Sequence, residues 1–190
     1  MRSKTEETRS RIIDSAYESF WRSGFTRTSV DRIAERAGVT KRTLYSHFRS
    51  KDDLLAVVLV RYSELAMERL ERIGEYLPAN PDGMIESFFA QLGGWASRTP
   101  RWSGSGFTRL VVELGDLPGH PARTLARRAK ALTETWLAER LAKVRVPRPR
   151  ERACEIMLLM EGAMALVLIH SDRRYIDAAA RAARQLIAQK

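Results

Sequence analysis

The sequence predicts an all-α fold, and three observations carry that prediction. Apolar residues recur at intervals of three and four along most of the chain, the period of a helix with one buried face. Clusters of Gly, Pro and short polar residues at 78–83, 115–121 and 146–149 cut this pattern into separate stretches. No stretch alternates apolar and polar residues as a half-buried strand does. With 190 residues, 44% of them hydrophobic and 29% charged, the chain has material for a sizeable core and the composition of a folded protein.

In chain order, the first helix covers about residues 5–23. Ile12, Ile13, Ala16, Tyr17 and Phe20 form its inner side, Thr5 with Glu6 and Glu7 forms its start, and Gly24 stops it. Thr28 or Ser29 caps a second, short helix whose inward residues are Val30, Ile33, Ala34 and Ala37. Gly38 ends that helix, and Thr40 caps a third of barely two turns. Ala34, Gly38 and Leu44 set the geometry here. A small residue permits close crossing, a glycine four residues on can take positive φ, and an apolar anchor six further on folds the third helix back. This is helix-turn-helix spacing, and a helix held in that way can enter a DNA major groove. Leu44 and Phe48 face inward, which leaves Lys41, Arg42, Tyr45 and Ser46 on the other side. A tyrosine flanked by two cations suits a surface pressed against phosphates and base edges. Ser50 with Asp52 and Asp53 then starts a fourth helix, to about residue 77, whose apolar stripe outlasts the helix-turn-helix.

The remaining stretches predict five more helices, at about 82–97, 107–114, 122–144, 150–170 and 173–189. Gly93 and Gly94 lie inside the fifth, at a cost of roughly 1 kcal/mol each in helix propensity, which points to a close helix contact or to room for something else. The eighth is apolar almost all round from Ile156, so it needs cover on both sides. One side is expected to meet the core, and the other a second copy. With the ninth helix it would form a four-helix interface through Ile156, Leu159, Ala163, Leu166, Ile176, Ala180, Ala183 and Ile187. The expected architecture is about nine helices: a helix-turn-helix domain over 1–55 and a helical ligand-binding and dimerisation domain over 56–190, with the fourth helix linking them.

Composition narrows the chemistry. The net charge is +10 and the pI about 10.3, which suits a polyanionic partner. The charge is not concentrated in the motif, since residues 1–53 hold 12 Lys and Arg against 8 Asp and Glu. One cysteine, Cys154, excludes an internal disulfide and a cysteine zinc cage. The first residues lack the apolar core of a signal peptide, and the apolar run 156–169 is short for a membrane span and holds Glu161, so a cytoplasmic address is expected, with no membrane partner. His47, His120 and His170 are scattered, and neither a metal-ligand spacing nor a nucleophile elbow is present. No enzyme activity, metal or cofactor is expected.

The N-terminal residues resemble the tetracycline-repressor (TetR/AcrR) family of bacterial regulators. The resemblance is carried by Gly24-Phe25, Ile33-Ala34, Ala37-Gly38-Val39, Thr43-Leu44-Tyr45, His47-Phe48 and 51–55, in order and at fixed spacing over about residues 8–55. It implies a homodimer that reads an inverted repeat in double-stranded DNA, with 41–48 as recognition helix. Tyr45 matches the family's tyrosine at the backbone or a thymine methyl, and Lys51 its phosphate-binding lysine. Thr28 and Ser29 match the phosphate-contacting start of the second helix. Thr40, Lys41, Arg42, Ser46 and His47 complete the expected DNA set, with Arg42 the candidate for bidentate guanine recognition.

The C-terminal two-thirds agrees with the family by layout alone. It concentrates aromatic and soft side chains: Phe88, Trp95, Trp102, Phe107, Trp136, Met160 and Met164, with Glu113 and Glu161 as polar outliers. Most belong to an all-α core, while a sharper reading lines a small-molecule pocket with them. Glu161, on an apolar helix, must meet an Arg or wait for a ligand. The resulting expectation is a repressor released from its operator by a small apolar or cationic effector. A DNA-binding regulator whose C-terminal region only dimerises or binds a protein stays open beside it.

Overall fold

The computed structural model describes residues 3–98, 106–114 and 121–189, without the side chains of 97, 98, 106, 107, 109 and 111. Trp102 and His120 fall outside the described residues, as does the side chain of Phe107. Among the described residues the chain forms nine α-helices and no strand: α1 (Lys4–Ser23), α2 (Val30–Arg36), α3 (Lys41–His47), α4 (Lys51–Gly74), α5 (Pro81–Arg98), α6 (Gly106–Leu114), α7 (Ala122–Lys143), α8 (Pro149–His170) and α9 (Arg174–Ala188).

The helices fall into two compact units. The first contains Met1–Leu65 together with Gly106–Arg128, so it runs past residue 55 and takes in α6 and the start of α7. Its extent follows from α4, where Leu54, Leu55, Val58, Leu59 and Tyr62 are all buried in a continuous helix. Tyr62 meets Tyr17 at 4.2 Å and Trp21 at 5.1 Å between ring centroids. α6 packs on α1, bringing the buried Leu110 and Leu114 into this unit.

Local chemistry places the short helices. Ser3 opens α1 with a capping box, its hydroxyl accepting from Glu6 N–H while the Glu6 carboxylate accepts from Ser3 N–H, so the helix begins ahead of the expected Thr5. At the end of α2, Gly38 N–H donates to Glu35 O and Val39 N–H to Ala34 O, both at 3.0 Å. That pair is a Schellman motif, and it requires the left-handed Gly38 (φ +64°). Thr40 caps α3, accepting from Thr43 N–H at 3.1 Å. Ser50 does the same for α4, accepting from Asp53 N–H at 3.0 Å.

The second unit comprises Ala66–Ser105 and Ala129–Lys190. Its core joins Phe88 and Phe89 of α5, Trp136, Leu137 and Leu141 of α7, Ile156, Met160 and Met164 of α8, and Ile176, Ala183 and Ile187 of α9. Gly93 explains one glycine of the fifth helix, because a Cβ there would stand 3.0 Å from Arg173 Nη2 and 3.4 Å from Ile176 Cγ2. α8 is long and apolar enough to cross a membrane by length and composition. Here its Ala153, Ile156, Ala163 and Val167 pack instead into the core of the unit.

Candidate nucleic-acid interface

α3 has only seven residues, too few to be stable alone, and the surrounding unit holds it. Leu44 and Phe48 are fully buried, fixing which side of the helix is left outside. On that outer side Lys41, Arg42, Tyr45 and Ser46 are exposed, and Tyr45 retains 44% of its accessible surface. Arg42 has no ion-pair partner among the described residues, which leaves its planar five-donor fork available. Lys41 Nζ lies 3.0 Å from Asp31 Oδ2 on α2, a pair exposed on both sides and therefore weak enough to exchange for another anion. The Ser46 hydroxyl donates to Thr43 O at 2.7 Å, and Thr40 is engaged as the cap. His47 is half-buried beside Phe48.

The flanking residues divide. Ser29 is exposed and caps α2, its hydroxyl accepting from Arg32 N–H at 3.2 Å. Thr28 does not fit the phosphate role expected of it. It is 1% exposed, and its hydroxyl is oriented toward Gly24 O at 2.6 Å and Ser19 O at 3.2 Å, so it closes the α1–α2 turn from within. Lys51 begins α4 with its ammonium 4.1 Å from the centre of the Phe25 ring. Partial desolvation lowers its pKa, against the opposing pull of Asp52 and Glu113. Arg9, one of the basic residues near the N-terminus, has its guanidinium 5.2 Å over the Phe48 ring and brings α1 charge to the end of α3.

Among the described side chains, those nominated for a ligand pocket divide between the two units, with Glu113 in the first and the others in the second. Phe88, Trp136, Met160 and Met164 are buried in the core of the second unit, with Phe88 and Trp136 rings 6.1 Å apart. Trp95 is half-buried under the Arg69 guanidinium at 4.2 Å. Glu161 forms an ion pair with Lys130, a lysine in place of the expected arginine. Glu113 belongs to the first unit, where both carboxylate oxygens accept backbone hydrogen bonds. An open groove of about 450 Å³ lies elsewhere, between Ala131, Thr135, Ala138 and Ala142 of α7 and Pro149 and Arg150 of α8.

The expected interface set also shifts. Ile156, Ala163, Ile176, Ala183 and Ile187 are buried in the chain's own core, and Leu159 and Ala180 pack against it while staying partly exposed. Leu166 is exposed, and it neighbours a different apolar stripe: Leu158 and Ile169, 71% and 70% exposed, with exposed Gly162 and Ala165 between them. The packing of α8 against α9 decides which side of this nearly uniform helix turns inward.

The model of bacterial regulatory proteins of the tetR family matches residues 12–58, which contain α2, α3 and most of the helix before them. Over those residues the chain is similar to the tetR family of bacterial regulators. The HTH-type transcriptional regulator SrpR of Pseudomonas putida is 46% identical over 56 residues, covering 30% of this chain and 26% of that protein. The HTH-type transcriptional regulator TtgR of Pseudomonas putida is 41% identical over 56 residues, 30% of this chain and 27% of its own length. The aligned part is thus about a quarter of either relative. A TetR-family transcriptional regulator from Streptomyces coelicolor superposes with a TM-score of 0.84 at 24% identity, over 96% of this chain and 95% of that one, which establishes the fold of both units. Among the described residues no cluster of His, Cys, Asp and Glu is arranged to hold a metal.

Proposed function

We propose that the protein is a transcriptional repressor that reads an inverted-repeat operator in double-stranded DNA as a homodimer, in the cytoplasm. The observation that carries this reading is the outer side of α3, where Lys41, Arg42 and Tyr45 stand exposed on a helix anchored by Leu44 and Phe48. Arg42 has the geometry for bidentate guanine recognition, and Tyr45 for a thymine methyl or the backbone. Ser29, Lys51 and His47 flank them as phosphate contacts. Two copies meeting through the Leu158–Gly162–Ala165–Ile169 stripe would present two such helices to successive major grooves, ~34–36 Å apart or a multiple of it.

Release by a small, largely apolar or cationic effector in the second unit is the regulatory part of the proposal. Trp136 supports it: Nε1 is a buried donor with no hydrogen-bond partner among the described residues, suited to an acceptor on a bound molecule. The effector would act through α4, whose first half lies in the reading unit and second half in the other. It must bind the DNA-competent and DNA-incompetent arrangements unequally to shift them.

Selection from a random duplex library with the purified protein tests the DNA-reading claim. An enriched inverted repeat, bound far more tightly than unselected duplex at physiological salt, is the expected result. A library that shows no enrichment contradicts it.

A further inference from the structure

The α1–α2 turn is held from outside the helix-turn-helix. Phe25 N–H donates to Glu113 Oε2 at 2.9 Å and Thr26 N–H to Glu113 Oε1 at 2.6 Å. Two successive backbone N–H groups aimed at one carboxylate form a nest for an anion, and bonds to an ionised acceptor are stronger than neutral ones. The approach is close: at Gly24, where φ is +80°, a Cβ would stand 2.7 Å from Glu113 Oε2. Thr28 closes the same turn from the inside. Lys51 reaches over the Phe25 ring and feels the charge of Glu113. Glu113 lies on α6, far beyond the matched residues 12–58, yet within the same compact unit.

We infer that Glu113 is a positioning residue for DNA reading. The turn it grips leads directly into Ser29 and α2, against which α3 packs, and Lys51 over Phe25 is tied to the same place. The carboxylate therefore fixes the entry of α2 and the ammonium of Lys51 together, and α6 completes a reading head that the motif alone does not finish. The inference rests on the DNA-binding reading above, but the contact itself can be tested without DNA.

The test uses the full chain with Glu113→Ala and Glu113→Gln. Without DNA, hydrogen exchange at the Phe25 and Thr26 amides is expected to be roughly tenfold faster in E113A, and intermediate in E113Q, which keeps a neutral carbonyl acceptor. With DNA, affinity for a duplex selected by the wild type is expected to fall about tenfold in E113A and less in E113Q, while affinity for unselected duplex of equal length changes far less. Unchanged amide exchange in E113A overturns the grip on the turn. Faster exchange with unaltered affinity overturns the positioning role, as does an equal loss on selected and unselected duplex that merely tracks a lower melting temperature. A wild type that prefers no duplex overturns the DNA-binding reading and the positioning role with it, while amide exchange still decides whether Glu113 holds the turn.

Discussion

Leu44 and Arg42 stand two positions apart on α3 and do opposite work. Leu44 is sealed in the core and sets the roll of the helix, and Arg42 takes the direction that is left. Arg42→Ala is therefore expected to relax preference at one base pair, at a cost of about 1–3 kcal/mol on the preferred base. Tyr45→Ala should weaken binding to the selected duplex with little change in melting temperature, because the residue is exposed. Lys51 adds a pH signature. Its pKa is lowered from 10.5, and a phosphate contact needs the charged form. The affinity it contributes is present below its folded-state pKa and is lost as pH rises through that value, earlier than for an ordinary lysine. Lys51→Arg keeps its charge throughout, so the alkaline loss of affinity should move to higher pH. Superimposable pH profiles for wild type and K51R would contradict a phosphate role for Lys51.

At the scale of elements, α2 and α3 depend on their ends. Gly38→Ala places a side chain at φ +64° and is expected to cost roughly 1–2 kcal/mol, read as a lower melting temperature. Ser29→Ala removes a cap and should cost about 1 kcal/mol in stability as well as any phosphate contact. These ends were legible in the sequence because a cap bonds to backbone two or three residues away, so its chemistry lies within one short string. Thr28 was not legible. Two neighbouring hydroxyls look equivalent until α1 covers one of them, and the burial of Thr28 is decided by Ser19 and Gly24. The grip of Glu113 on the α1–α2 turn was illegible for the same reason at longer range, since its partners are backbone groups 87 and 88 residues away that no side-chain pattern announces. The α8 stripe failed differently. An apolar helix gives its core-facing side no periodic mark, and packing against α9 chose it.

At the scale of the molecule, the exposed stripe on α8 is the apolar surface most in want of cover. Leu158 and Ile169 stand three turns apart with Gly162 between them, and a Cβ at Gly162 would meet nothing within 4 Å in the single chain. Leu158→Glu combined with Ile169→Glu is expected to halve the solution mass while each unit keeps its helices. A wild type already monomeric at micromolar concentration would contradict the dimer. The net charge of +10 supports attraction to any polyanion, whereas specificity is expected from one face of one short helix. Measuring the affinity of wild type and Arg42→Ala for every single-base variant of the selected half-site tests that claim most directly. The variant is expected to lose discrimination at one position and keep it at the others. A uniform loss across all positions would show that Arg42 touches only phosphate, and no loss at all would show that this face of α3 does not read DNA.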